Sequence, residues 1–314
     1  VAKKLKILRL SYTPLDHRYS NDNSVFTELS GQADVVFLDF VRLKDPVMID
    51  KQISELIKKH NFDLIYKNFV KSINTLKMRP LHEYKIPVFV SSGDCHSRLL
   101  GPVYNEKSNY HKYNGIIVNN GSAISCFKRY FDRDMDYIWL PWSYNPKFHK
   151  EYKDKKVYDA SIPASSLKIS IRKKIHDYLQ NDSCRYTHIR GHLPPEYGRR
   201  ISQCKIGIST CQIENKLLYK GKFIGMTFTK YYEIPMCGTL HIGQESGDAK
   251  ELGFVDGENI VMFNTFEEFK DKFRFYLNNE KERLRILNNS RKHISPMTYK
   301  NRIEQFLSGI RGKI

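Results

Sequence analysis

Asp94-Cys95-His96-Ser97 follows the apolar run Ile86-Pro87-Val88-Phe89-Val90 and the turn Ser91-Ser92-Gly93. A short apolar run bounded by turn residues reads as a buried strand, so Asp94 and His96 stand at the carboxyl end of a sheet strand, where functional loops gather. An aspartate two residues from a histidine can orient or tune a general base. Asp94 and His96 are therefore the candidate catalytic residues; the alternative is hydrogen bonding within the loop. The six cysteines, Cys95, Cys126, Cys184, Cys204, Cys211 and Cys237, show no C-x-x-C spacing. Buried free thiols in a reducing compartment are the simplest account of them.

The elements that position these groups alternate. Leu5–Leu10, Asp34–Asp39, Phe62–Tyr66, Ile86–Val90, Gly115–Val118 and Tyr137–Leu140 read as strands, apolar on both faces. Ile49, Ile53, Leu56 and Ile57 mark a helix between the second and third. Such a pattern predicts a parallel sheet covered by helices. Pro141-Trp142-Ser143-Tyr144-Asn145-Pro146 and the polar stretch Lys147–Lys156 break it, and it restarts at Val157–Ile162. A helix over Ile171–Leu179, a strand at Cys204–Ser209, a helix at Tyr231–Cys237, a strand at Gly238–Ile242 and two closing helices follow. Thr265 and Glu268 form a capping box before the first of those two. The expectation is two domains, 1–146 and 147–314, both α/β and Rossmann-like. They would face a cleft, with ligands at the carboxyl ends of the strands.

The 314 residues carry a formal net charge of +18, divided as +8 over residues 1–150 and +10 over the rest. With no basic tail to explain it, the excess favours an anionic partner: a nucleotide, a membrane surface, an acidic glycan or nucleic acid. A lysine-rich solvated surface is the alternative. Charged residues make up 27% and are interleaved with apolar runs, which excludes a disordered chain. No apolar stretch reaches the roughly 18 residues of a membrane span and no signal peptide is visible, so the expected location is cytoplasmic, with any membrane contact peripheral.

Thr229-Lys230-Tyr231-Tyr232-Glu233-Ile234-Pro235-Met236-Cys237-Gly238-Thr239-Leu240 resembles the "E-A-M-A-C-G-T" helix of group 1, family 4-like glycosyltransferases of the GT-B type. Glu251-Leu252-Gly253-Phe254 with Asp256-Gly257-Glu258-Asn259 resembles the loop that follows in that family. Tyr158-Asp159-Ala160-Ser161-Ile162-Pro163-Ala164, with Arg172 nearby and Leu140-Pro141-Trp142 upstream, is similar to the spore-maturation-protein-like branch. The resemblance covers about residues 137–300. It implies a nucleotide-sugar-dependent transferase of hexosyltransferase type, with a UDP- or GDP-linked donor and no further cofactor.

In that family the glutamate aligned with Glu233 holds the ribose hydroxyls of the donor, a role suited to an acceptor-only carboxylate. Lys230, one turn earlier, is a candidate phosphate contact, with a solvated lysine as the alternative, and Gly238 and Thr239 of the same motif are further candidate donor contacts. A second family glutamate, seven intervening positions earlier, is replaced here by Gly225. GT-B enzymes hold the leaving diphosphate with helix N-termini and basic side chains rather than metal. Candidates are Arg172 with Lys173, Arg190, Ser165 with Ser166, and the backbone of Gly243–Asp248. The turn Asn119-Asn120-Gly121-Ser122 is a candidate sugar contact. Asp132-Arg133-Asp134-Met135-Asp136 contains two D-x-D triplets, but it precedes a strand rather than following one and reads as an acidic surface loop, so no metal site is expected. The expected acceptor is a cell-surface glycan or another anionic or membrane-associated molecule. The alternatives are a modified base in nucleic acid, which would require a basic cleft, and a GT-B-fold nucleotide-sugar epimerase.

Overall fold

The computed structural model describes residues 3–11, 21–39, 45–68, 78–91, 112–130, 135–168, 170–192, 194–210, 218–219, 222–223 and 227–314. The chain divides into two compact units, Val1–Pro141 with Tyr299–Ile314, and Trp142–Thr298.

The first unit is built from β1 (Lys6–Ser11), α1 (Asn21–Gln32), β2 (Asp34–Asp39), α2 (Pro46–Lys59), β3 (Leu64–Asn68), β4 (Val88–Ser91), β5 (Gly115–Val118), α3 (Ile124–Tyr130) and β6 (Asp136–Trp139). The strands form one parallel sheet in the order β2-β1-β3-β4-β5-β6. Ile7, Leu8, Leu64, Ile65, Ile116 and Ile117 are fully buried, as strands covered on both faces require. α2 starts where its residues dictate. The Asp45 carboxylate accepts from the Val47 amide, Pro46 occupies the first turn, and Lys58 and Lys59 face the negative end of the helix dipole.

The second unit holds β7 (Tyr158–Pro163), α4 (Ser170–Asn181), β8 (Tyr186–Ile189), α5 (Glu196–Ser202), β9 (Cys204–Ser209), the hairpin β10 (Leu218–Tyr219) and β11 (Lys222–Phe223), α6 (Lys230–Met236), β12 (Leu240–Gln244), β13 (Val261–Phe263), α7 (Phe266–Asn278) and α8 (Glu280–Ile294). Its sheet is also parallel, in the order β13-β12-β9-β7-β8. Ile206, Ile208, Leu240, Ile242, Phe269 and Phe273 lie in one buried cluster. α7 has the expected cap: the Thr265 hydroxyl accepts from the Glu268 amide, while the Glu268 carboxylate accepts from the Asn264 amide. In both units the second strand lies on one side of the first and the third on the other, so each sheet has a switch point beside its opening strand.

The α/β, two-Rossmann-like architecture is as expected from the sequence. The division differs in two places. The units meet at 141/142 rather than 146/147. The last helix, α9 (Tyr299–Arg311), belongs to the first unit, where Ile303, Phe306, Leu307 and Ile310 join Leu5, Ile7, Tyr66 and Phe89 in the core. A helix from one end of the chain closing a sheet from the other leaves no local signal. β8 and α5 also went unread, because β8 is a half-exposed edge strand and α5 is only seven residues long.

Candidate functional site

A helix that follows a parallel strand runs back along the sheet, so its N-terminus lies at the carboxyl edge. α4, α5 and α6 all start at that edge of the second unit. The switch point lies between β7 and β9, and Arg172, in the first turn of α4, spans its mouth. Its guanidinium donates from Nη1 to the Ser166 carbonyl at 2.7 Å, from Nε to the Thr210 hydroxyl at 2.9 Å and from Nη2 to the Thr210 carbonyl at 3.1 Å. Arg172 thus clamps the segments that leave the two strands flanking the switch point. Ser165, next to this clamp, is exposed, as is Arg190 at the end of β8.

Lys230 and Glu233 share the first turn of α6, a helix whose Tyr231, Tyr232, Ile234 and Pro235 are all buried. Glu233 is 4% exposed. Its Oε2 accepts from the Lys230 ammonium at 2.7 Å and from the Tyr197 hydroxyl, on α5, at 3.3 Å. The Lys230 ammonium also lies 4.8 Å from the centre of the Tyr197 ring. On the other side, His149 Nε2 faces Oε1 at 3.6 Å, an electrostatic contact longer than a hydrogen bond.

The protonation states follow from these contacts. The Asn145 amide donates to His149 Nδ1 at 3.1 Å. A backbone N–H can only donate, so Nδ1 carries no proton and the imidazole is the neutral Nε2–H tautomer. Burial pushes the histidine in the same direction, below its ordinary value, against the upward pull of Glu233. Burial alone would raise Glu233. Together the charge and hydrogen bond of Lys230, the contact with His149 and a hydrogen bond from Thr229 outweigh it, and the carboxyl is held below the usual range. The result is a buried carboxylate, ionised, with one oxygen tied to the fold and the other beside an N–H dipole.

Gly238 and Thr239 end this helix. Gly238 adopts φ +76° and accepts from the Lys156 ammonium, and the buried Thr239 hydroxyl donates to the carbonyls of Ile201 and Cys204. Both residues are engaged in shaping the helix end. Beyond them, the Ser209 hydroxyl and His241 Nε2 share a hydrogen bond at 2.8 Å, and burial pushes His241 down to about 3.

Asp94, His96, Asp132 and Asp134 of the first unit lie outside the described residues, as does Gly225 of the second. Asp136 pairs with Lys313. Asn119 donates from its side chain to the Leu140 carbonyl at 2.9 Å, and Asn120 is fully buried at the end of β5. Among the described residues no three His, Cys, Asp or Glu side chains converge as a metal site. His149 and Tyr197 were missed by the sequence reading. They stand 84 and 36 residues from Glu233, and His149 falls within the polar stretch read as a linker.

Solved structures match this architecture end to end. Sucrose-phosphate synthase from Thermosynechococcus elongatus superposes with a TM-score of 0.67 at 9% identity, covering 98% of this chain and 99% of that one. The fold is that of a GT-B glycosyltransferase. A second match is a glycosyltransferase from Rickettsia africae ESF-5, with a TM-score of 0.62 at 12% identity, covering 99% of both chains. An α1,3-fucosyltransferase with GDP-fucose gives 0.57 at 14% identity over 100% of this chain and 91% of that one. The family model described as glycosyl transferase-like matches residues 162–308. Comparison with curated protein sequences gives no match. The segment matched by the family model contains Arg172, Arg190, Tyr197, Lys230 and Glu233.

Proposed function

We propose that the protein is a glycosyltransferase that takes a hexosyl group from a nucleotide sugar, with the donor bound by the second unit. The observation that carries this reading is the glycosyl transferase-like match over residues 162–308, which encloses an ionised, buried Glu233 at the carboxyl edge of a GT-B Rossmann-like sheet. Glu233 accepts the ribose hydroxyls through Oε1. Lys230, Arg190 and Ser165 reach the diphosphate, and Arg172 holds the switch-point mouth open in the required shape. The leaving diphosphate then gains charge stabilisation from basic side chains and from the helix N-termini of the same edge. Gly238 and Thr239 serve the donor site by fixing the end of α6. Asp94 and His96 supply the base on the acceptor side.

The donor is UDP- or GDP-linked; the fucosyltransferase match, with its GDP-fucose, supports the second. The spore-maturation-like branch is supported by Tyr158–Ala164 and Leu140–Trp142. The acceptor is a cell-surface glycan or another anionic, membrane-associated molecule. A thermal-shift panel of UDP-, GDP-, ADP- and dTDP-linked sugars tests the donor. A true donor at 100 times its Kd adds about 2.7 kcal/mol of stability. No shift with any of the four would end the donor reading.

A further inference from the structure

Four groups surround the Glu233 carboxylate, Thr229 among them through a side-chain hydrogen bond, and they do not share it equally. Lys230 and Tyr197 both bond Oε2. His149 faces Oε1, through a ring nitrogen whose proton is placed by the Asn145 amide. The last torsion of a glutamate is broad and roughly two-fold, so packing has to choose the angle at which the carboxylate plane settles. Lys230, as a full charge, draws both oxygens towards itself. The His149 N–H dipole on the opposite side favours the angle that keeps Oε1 turned away.

His149 is itself held. Its ring is nearly buried and packs edge-on against Tyr197, with centroids 6.3 Å apart. The turn that carries it is fixed by Asn145, whose side chain accepts from the Lys147 amide and whose carbonyl accepts from the Phe148 and His149 amides. α5 presses on the same turn so closely that a Cβ on Gly198 would lie 2.3 Å from the Phe148 carbonyl oxygen.

We infer that His149 is a positioning residue for donor binding, setting the orientation of Glu233 so that Oε1 meets the ribose hydroxyls of a ribonucleotide donor. This rests on the reading of Glu233 as the ribose-holding group. The site then favours ribo- over dideoxyribonucleotides, and His149 carries part of that preference without touching the chemistry.

Two substitutions separate the roles of the ring. His149→Gln keeps an N–H near the Nε2 position. His149→Asn keeps an acceptor near Nδ1 for the Asn145 amide but removes the donor that faces Glu233. The experiment measures calorimetric Kd values for UDP, GDP and ADP and for their 2′,3′-dideoxy forms, on the full chain. Wild type should bind its preferred ribonucleotide at least about tenfold more tightly than the dideoxy form, the size of one charge-assisted contact. His149→Asn should lose most of that ratio, with the dideoxy affinity unchanged, and His149→Gln should retain it. Equal weakening of both forms by His149→Asn would mean a merely structural histidine and overturn the inference. An unchanged ratio in His149→Asn, with the ratio lost in Glu233→Ala, would also overturn it while leaving the Glu233 reading intact. A wild-type ratio near one, or no nucleotide binding at all, would remove both.

Discussion

At Glu233 a single carboxylate is asked to be buried, ionised and available. Burial raises its pKa, and Lys230, His149 and Thr229 together reverse that. Glu233→Ala removes the acceptor and leaves Lys230 with less to balance it. Nucleotide affinity should fall by about 1.5–3 kcal/mol, or roughly ten- to a hundredfold in Kd, with the circular dichroism spectrum preserved. Titration of the variant with the nucleotide that wild type prefers checks this, and an unchanged Kd would take Glu233 out of the site. His241 makes a separate statement about pH. Its folded-state value, about 3, lies below the ordinary histidine value. The unfolded chain therefore binds a proton that the folded chain refuses, and stability is lost as pH falls from about 6.5 towards about 3. For this one group the slope is about 1.4 kcal/mol per pH unit. Urea unfolding at pH 7 and pH 5.5 should show a smaller acid loss in His241→Gln than in wild type. Parallel losses in the two proteins would refute the assignment.

α5 and α6 bring the cluster together, and the contact between α5 and the Phe148–Tyr152 segment sets their spacing. The Tyr152 hydroxyl donates to the Phe148 carbonyl, its amide donates to Ser202, and Gly198 leaves no room for a side chain. Gly198→Ala must push α5 away from that turn, which separates Tyr197 and His149 on either side of Glu233. The expected cost is about 1–3 kcal/mol of stability, with weakened nucleotide binding in the same variant. Thermal unfolding with and without nucleotide reads both effects. Loss of stability with wild-type affinity would show that the spacing of α5 does not matter to the site. The alternation of strand and helix was legible from the apolar runs, because strands buried on both faces leave long uninterrupted apolar segments. β8 and α5 were illegible because neither carries such a run: the first is half exposed and the second too short to show a period.

On the scale of the molecule, the first unit depends on the last helix of the chain. Ile303, Phe306, Leu307 and Ile310 are buried in its core, each contributing about 1.5–3 kcal/mol against a typical net stability of about 5–15 kcal/mol. Deleting residues 299–314 should unfold the first unit and spare the second. Hydrogen exchange should show β1 to β6 unprotected while β7, β9 and β12 stay protected; protection of β1 and β3 in the truncated protein would contradict this. The charge of +18 belongs to the same scale. A nucleotide sugar carries only about two negative charges, and the proposed anionic or membrane-associated acceptor is a use for the surplus. Transfer of labelled sugar to liposomes bearing a lipid-linked glycan should exceed transfer to a neutral soluble sugar and weaken as salt screens the surface. Label appearing in modified-base DNA would shift the acceptor to nucleic acid. Efficient, salt-indifferent transfer to the neutral sugar would reduce the charge to a solvated background. No helix among the described residues is long and apolar enough to cross a membrane.

The sequence alone determined the α/β class, the presence of two sheet-and-helix units and the stretch from Thr229 to Leu240 that carries the family resemblance. Each is a property of contiguous residues: apolar runs, capping pairs and a motif read in one window. Only the tertiary structure decided that α9 closes the first unit, that Arg172 clamps Ser166 to Thr210, and that His149 and Tyr197 converge on Glu233. Those contacts join residues 6 to more than 200 positions apart. No local pattern records them, because a side chain buried through distant partners needs only the right size and polarity at its own position.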